Sequence, residues 1–471
     1  MAAKSDGKTM YTILRKTGAV WALISTLGFG GCATTTPTPQ TATIPALGHH
    51  LPRATVPETP ASGDLRAEFS EPDGELTLRQ ALGAALINNP QLFVFAWENR
   101  AREAEALQAG LGPNPELGLE LENFGGSGEV SGIGGSETTL TLSQLIELGD
   151  KRNKRVALAE LEQGLSAWDY ESARLDVLTE VTQKFVATLA AQENVTLTKE
   201  LVDHAQEMLD SVHRRVRAGS ASPVEESRAR VSLETSRIET TRAEYALVVA
   251  KKKLSATWGS VTPAFSAVLG DLTDTQTAAP LITLQEQLAE NPELARWATE
   301  VQHRRAAINL AKAFGTIDLS VGGGVRYLSE SDDVAFVINV GLPLKFNNGN
   351  EGATKAAEFR LQRTEAQKRA ATHGLMAQLS ETYESLLANE AEIKALRDLA
   401  LPEAEKALDS AEVSYLRGAM RFSDVLDTKR MFFALKQRYF MVLANHHFTV
   451  AEIERLTGAA MGPSATAEGR Q

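Results

Sequence analysis

The sequence predicts a mixed α and β fold built twice over, each half supplying one β-hairpin and a set of very long helices. Three observations carry this expectation. Landmarks recur in the same order about 200 residues apart, too long a period for a short-repeat solenoid. Short runs in each half alternate apolar and polar residues with period two, as half-buried strands do. Longer runs place apolar residues three and four apart, the spacing of coiled-coil helices.

The landmarks are specific. Leu76-Thr77-Leu78 followed by Asn89-Pro90-Gln91-Leu92 returns as Ile282-Thr283-Leu284 followed by Asn291-Pro292-Glu293-Leu294. Gly149 has its counterpart at Gly349, and Arg217-Ala218-Gly219 at Leu416-Arg417-Gly418. The halves end alike, on Trp258-Gly259 and Thr457-Gly458. These marks set a first repeat at 71–259, with a hairpin at about 116–146 and a break near 217–223. A linker at 260–281 leads to a second repeat at 282–458, with a hairpin at about 317–345 and a break near 416–422. Residues 459–471 read as a flexible tail.

Within the first repeat, one helix is expected from about Thr77 to Ala109, ended by Gly112-Pro113-Asn114-Pro115. Leu117, Leu119 and Leu121 then alternate with Glu116, Gly118, Glu120 and Glu122, and Leu140 and Leu142 alternate on the return. In the second repeat Ile317, Leu319 and Val321 lead to a turn near Ser329–Asp333, and Val334 to Leu344 returns. Gly322-Gly323-Gly324 sits in that strand, where it suits close packing or bending rather than a phosphate loop. Four open strands leave unpaired backbone groups that cannot face hydrocarbon. Closure therefore requires other copies, and three give a shared barrel of twelve strands. After the hairpin, Asp150 to about Arg217 predicts a helix of roughly 100 Å. Its counterpart in the second half carries Pro402, which is expected to kink it.

Charge and the N-terminus narrow the partners. The formal charge is −12, which argues against a nucleic-acid partner, since phosphate binding needs clustered Lys and Arg. Lys4, Lys8, Arg15 and Lys16 precede an apolar stretch from Gly18 to Gly31, the pattern of a signal peptide over 1–31. Cys32 is the sole cysteine, so no intramolecular disulfide forms. Leu27-Gly28-Phe29-Gly30-Gly31-Cys32 resembles a bacterial lipobox, with Phe29 where Leu is usual. The resemblance implies cleavage before Cys32, a covalent lipid on its thiol and acylation of the new amine. Ala33 in place of Asp further implies sorting to the outer membrane. Residues 32–70, rich in Thr, Pro and Ala, then read as an extended tether from lipid to folded body.

The duplicated hairpin-and-helix unit resembles the TolC family of outer-membrane efflux proteins over nearly all of residues 70–460. The sharpest piece is Tyr415-Leu416-Arg417-Gly418 followed by Phe422-Ser423-Asp424-Val425-Leu426-Asp427. The resemblance implies a trimeric channel with a coiled-coil periplasmic tunnel and adaptor-docking tips at Arg217, Ala218, Gly219, Leu416, Arg417, Gly418 and Ala419. It also implies a tunnel gate at Asp424 and Asp427, one helical turn apart and so on one face. Glu225 stands at the position of Asp424 in the first half, while Arg228 replaces Asp427. Solvated acids at a helix start are the plain alternative, since the helix dipole favours them there.

Ser143-Gln144-Leu145-Ile146-Glu147-Leu148-Gly149-Asp150-Lys151-Arg152 resembles the strand-to-helix junction of the CzcC-like, cobalt–zinc–cadmium branch. That resemblance implies a lipid-anchored channel working with a periplasmic adaptor and a proton-driven inner-membrane transporter of the RND type. Two rivals stand beside it: the same architecture serving drug or solvent efflux or type I secretion, and a soluble periplasmic coiled-coil scaffold. No nucleophile with a base at local spacing argues for catalysis. His49-His50, His446-His447, His213, His303 and His373 are scattered and read as surface or packed residues rather than metal ligands.

Overall fold

The computed structural model describes residues 42, 45–56 and 70–461. Cys32, the signal segment and the rest of the tether lie outside the described residues, as do 462–471. Strand β1 (Gly74–Thr77) opens the body and pairs in parallel with β4 (Phe265–Leu269), so the expected linker holds a strand of its own.

The single helix expected from Thr77 to Ala109 is two. Helix α1 (Leu78–Asn88) starts on a capping box in which Thr77 and Gln80 bond each other's backbone N–H. It stops at Asn89, whose carboxamide oxygen accepts from Gln91 and Leu92 N–H at 2.8 and 3.2 Å and so caps α2 (Pro90–Ala109). Pro90 at the first helical position lacks the N–H that would have continued α1. Asn291 repeats this geometry, accepting from Glu293 N–H and starting α6 (Pro292–Phe314) after the short α5 (Leu281–Leu288).

The same two asparagines explain why the landmarks recur together. The Asn89 amide donates to Thr257 O at 2.8 Å, just before Trp258-Gly259. The Asn291 amide donates to Leu456 O at 2.8 Å, just before Thr457-Gly458. Each repeat is thus stapled, start to end, by one buried side chain.

Strands β2 (Glu116–Glu122), β3 (Glu137–Ile146), β5 (Leu319–Leu328) and β6 (Asp333–Gly341) form one antiparallel sheet in the order β2-β3-β5-β6. The two hairpins join through β3 and β5, with Leu140 opposite Val325 and Thr139 opposite Arg326. The glycine run of β5 is a packing requirement: a Cβ on Gly322 would collide with Asn339, and one on Gly324 with the Leu140 carbonyl.

Helix α3 (Lys151–Arg217) runs 67 residues, about 100 Å at 1.5 Å per residue. It leaves the sheet through Gly149 and Asp150, both left-handed, and a Cβ on Gly149 would strike Thr316. The junction motif has a structural part here. Buried Lys151 pairs with Asp318 at 2.6 Å, and Glu147 accepts from Arg155, fixing the strand-to-helix turn of one repeat against the start of the other hairpin.

Helices α4 (Pro223–Ser255), α7 (Glu351–Ala395), α8 (Leu401–Leu416) and α9 (Phe422–Thr457) complete the body. Between α7 and α8 the chain makes one wide π turn over Leu396–Ala400, so the irregularity expected at Pro402 falls just ahead of it. Near the sheet, neighbouring helices pack in the order α2-α3-α6-α7; toward the other end the order is α4-α3-α9-α8.

Candidate functional site

The two breaks in the helical stretches are built alike. Gly219 and Gly418 take φ of 70° and 77°, a conformation that a side chain resists. Ser220 N–H donates to Arg215 O and Ala419 N–H to Ser414 O, each at 2.9 Å, closing matching helix ends. Arg217, Ala218, Gly219, Leu416, Arg417, Gly418 and Ala419 are all exposed on these tips.

The structure brings the two tips together. Tyr415 Oη donates to Glu225 Oε2 at 2.9 Å, across the two repeats. Arg215 donates to the Leu416 carbonyl at 2.9 Å and to that of Tyr415, with its guanidinium 4.6 Å from the Tyr415 ring centre. Val212, Ala229, Ala411, Phe422 and Val425 close around the ring, so α3, α4, α8 and α9 share one small core. Burial and the Glu225 carboxylate together push the Tyr415 hydroxyl up to about 12, so it remains a donor at every physiological pH.

Glu225, expected at the gate with Asp424 and Asp427, is half-buried and accepts from Tyr415, and so braces the two tips against each other. Asp424, half-buried, and Asp427, exposed, stand on the first turns of α9, and each meets an arginine three residues away, Arg421 at the N-cap and Arg430 within the helix, both at 3.4 Å. Both aspartates are thus paired within their own chain.

The sheet carries a second set of charges. Leu117, Leu119, Leu121, Leu140, Leu142, Val325, Tyr327, Phe336, Ile338 and Val340 fall on one face by register. Glu116, Glu120, Glu122, Glu137, Thr139, Thr141 and Ser143 fall on the other. Arg326 reaches Glu137 at 2.6 Å and Glu122 at 3.1 Å on that polar face. Alternation of this kind sets a lipid-facing surface against a lumen-facing one in a membrane barrel. No helix among the described residues is long and apolar enough to cross a membrane.

Residues 81–260 and 283–459 match the outer membrane efflux protein family, one match for each repeat. The chain belongs to that family. It is 30% identical over 388 residues to the cobalt-zinc-cadmium resistance protein CzcC of Cupriavidus metallidurans, covering 82% of this chain and 91% of the relative. The nickel and cobalt resistance protein CnrC of the same organism is 24% identical, covering 61% and 67%. Among solved structures the CusC channel superposes with a TM-score of 0.70 at 16% identity, over 87% of this chain and 98% of CusC. VceC of Vibrio cholerae gives 0.65 at 17%, over 82% and 97%. The fold is that of the TolC-like outer-membrane channels.

Two buried basic groups of this efflux protein lie outside the motifs. Lys429 is buried in α9, its ammonium 3.4 Å from Leu201 O and 5.9 Å from the Phe433 ring centre. Burial lowers it to about 8 against the pull of Glu412 and Glu207. His446 is fully buried, and burial lowers its imidazole to about 4. Neither Arg215 nor Lys429 stands in a recognisable motif, because both earn their contacts from helices some 200 residues away in the chain. A mismatch between a basic residue and an otherwise apolar stripe was the available signal for Lys429.

Proposed function

We propose that this efflux protein is the outer-membrane channel of a tripartite, proton-driven RND-type pump that exports heavy-metal cations such as cobalt, zinc or cadmium. The observation that carries the reading is the two-faced sheet, with leucines on one side and glutamates on the other, open at both β2 and β6. Three copies close it into a twelve-stranded barrel whose lumen is acidic, and an acidic lumen concentrates cations. The likeness to CzcC and CnrC supports the metal cargo.

The exposed tips at Arg217, Ala218, Gly219, Leu416, Arg417, Gly418 and Ala419 are the docking points for a periplasmic adaptor, which couples the channel to an inner-membrane transporter. Asp424 and Asp427 surround the periplasmic opening, with Arg421 and Arg430 tempering their field. A lipid on Cys32 fastens the chain to the outer membrane; a Cys32→Ser variant losing palmitate label tests this part alone.

The channel reading is tested by purified protein in planar bilayers. Discrete conductances with cation preference are expected, and no conductance, or anion preference, overturns it. The cargo is tested by cobalt, zinc and cadmium accumulation in cells lacking the protein. The pyoverdine export outer membrane protein OpmQ of Pseudomonas aeruginosa, 24% identical over 387 residues, keeps an organic cargo as the second reading. Unchanged metal accumulation in the deletion favours it.

A further inference from the structure

A groove of about 940 Å³ runs along the helices beside the tips, with α3 as its floor and α4 and α9 as its walls. The packing order α4-α3-α9 keeps the two walls apart. Arg228 and Arg242 on α4 and Lys429 and Arg430 on α9 line it, against two carboxylates, Glu239 and Asp427. That excess of cations runs against a chain of formal charge −12. A volume of this size suits an organic molecule rather than a single small ion.

Three of these four cations have no carboxylate of their own. Arg430 meets Asp427 at 3.4 Å, whereas Arg228 and Arg242 make no ion pair or hydrogen bond among the described residues. Glu239, three residues before Arg242, does not pair with it. Lys429 is 4% exposed, and its one hydrogen bond, at 3.4 Å, goes to the Leu201 carbonyl. Glu207 on α3 and Glu412 on α8 attract its ammonium without closing to an ion pair. A buried ammonium without a paired carboxylate is costly, and an anion in the groove relieves that cost. The two repeats also differ at this place. Arg228 and Asp427 each stand nine residues after their tip glycine, so the first repeat sets a cation where the second sets an acid.

The unpaired cations stand at two levels. The Tyr415–Glu225 bond and the shared core hold the two tips side by side, and α4 and α9 both run away from them. Arg228 lies nine residues after Gly219 and Lys429 eleven after Gly418, which sets them within about 3 Å along the helix axes. Arg242 lies 23 residues after Gly219, about 18 Å beyond Lys429. Between the two levels the groove is lined by Val231, Leu201, Phe433 and Leu197. We propose that this groove binds an elongated organic dianion, an aliphatic chain with a carboxylate at each end. Lys429 and Arg228 hold one carboxylate, and Arg242 holds the other through its two-pronged guanidinium. The aliphatic chain lies along the apolar stretch between them. The site is contained in one chain, so it stands or falls apart from the metal-export reading.

The test is equilibrium dialysis of radiolabelled dodecanedioate against the full-length protein in a nonionic detergent. Saturable binding of one dianion per chain is expected. The monocarboxylate dodecanoate should bind more weakly, and the diamine of the same length should not compete. Lys429→Met and Arg242→Gln should each weaken binding by about tenfold or more, the worth of one hydrogen bond to a charged group. Lys429→Met replaces a buried charge with an apolar chain of similar length, so its unfolding midpoint should not fall. Loss of affinity without loss of stability separates a ligand-binding lysine from a merely structural one. Should Lys429→Met misfold, exposed Arg242 still decides the matter through its own variant. Equal binding by the native protein and both variants places the dianion in the micelle or elsewhere and overturns the proposal. Competition by the diamine overturns it too, since the groove would then recognise the chain and not the charge. Absence of saturable binding to the folded protein overturns it outright, and is the result expected if a neighbouring copy covers the groove.

Discussion

The hydroxyl of Tyr415 and the carboxylate of Glu225 meet at 2.9 Å across 190 residues of sequence, tying the tip of the second repeat to that of the first. Hydrogen bonds to charged groups contribute about 1.5–3 kcal/mol, so this bond and Arg215 together hold the tips in one arrangement. Tyr415→Phe and Glu225→Gln are each expected to raise the open fraction of single channels in bilayers. The double variant should gain little more than either single one, because both remove the same interaction. Full additivity would show that the two side chains act separately.

The polar face of the sheet predicts charge selectivity at the barrel itself. Glu116 and Glu120 stand on the face shared by the Arg326 pairs but outside them. Glu116→Gln with Glu120→Gln removes six charges from a trimer without disturbing Arg326. The cation-to-anion permeability ratio, taken from reversal potentials under a salt gradient, should fall severalfold. The effect should be largest at low ionic strength, where the Debye length, about 30 Å at 0.01 M, exceeds the spacing of charges in the lumen. Arg326→Gln should move the ratio the other way.

Much of this architecture was legible in the sequence because its signals are local and periodic. The β2 alternation, the α3 stripe and the tip glycines each announce themselves within a few residues. The break at Asn89 was legible too, since Asn-Pro is a cap followed by a first-turn proline, but the apolar spacing on both sides masked it. What the sequence did not show is which polar residue faces which. Glu225 matches Asp424 by repeat position, yet Tyr415 turns it into a brace, and only the packing of α8 against the first tip decides that. Strand β4 was missed because five residues of mixed polarity give too little period, and parallel pairing with β1 supplies the missing context.

The repeat staples predict matched losses of stability. Asn89→Ala removes an N-cap and leaves the Thr257 carbonyl without its donor; Asn291→Ala does the same at Leu456. Each cap is worth about 1 kcal/mol, and a buried unsatisfied carbonyl costs about 1–3 kcal/mol more. Denaturant midpoints in detergent should therefore fall clearly for both. Asn89→Asp keeps the cap but not the donor, so it should recover the cap's share alone; full recovery would remove Thr257 from the account.

His446 makes the body sensitive to acid. Its ring is fully buried on α9, with His447 beside it and the Glu390 carboxylate 4.0 Å from Nε2. Burial holds the imidazole at about 4, below its ordinary 6.5, so the folded chain favours the neutral ring. The unfolded chain binds a proton as pH falls through 6.5, while the folded chain resists until about 4. Stability from this residue is therefore present in full above 6.5 and is lost progressively between 6.5 and 4. At 1.36 kcal/mol per unit the loss reaches about 3 kcal/mol per chain. Urea midpoints measured at pH 7.5, 5.5 and 4.5 should decline for the native protein. His446→Leu, which does not titrate, should flatten that decline while keeping the helix packed. Parallel curves for the two proteins would assign the acid sensitivity elsewhere, to the carboxylates that pair in the native state.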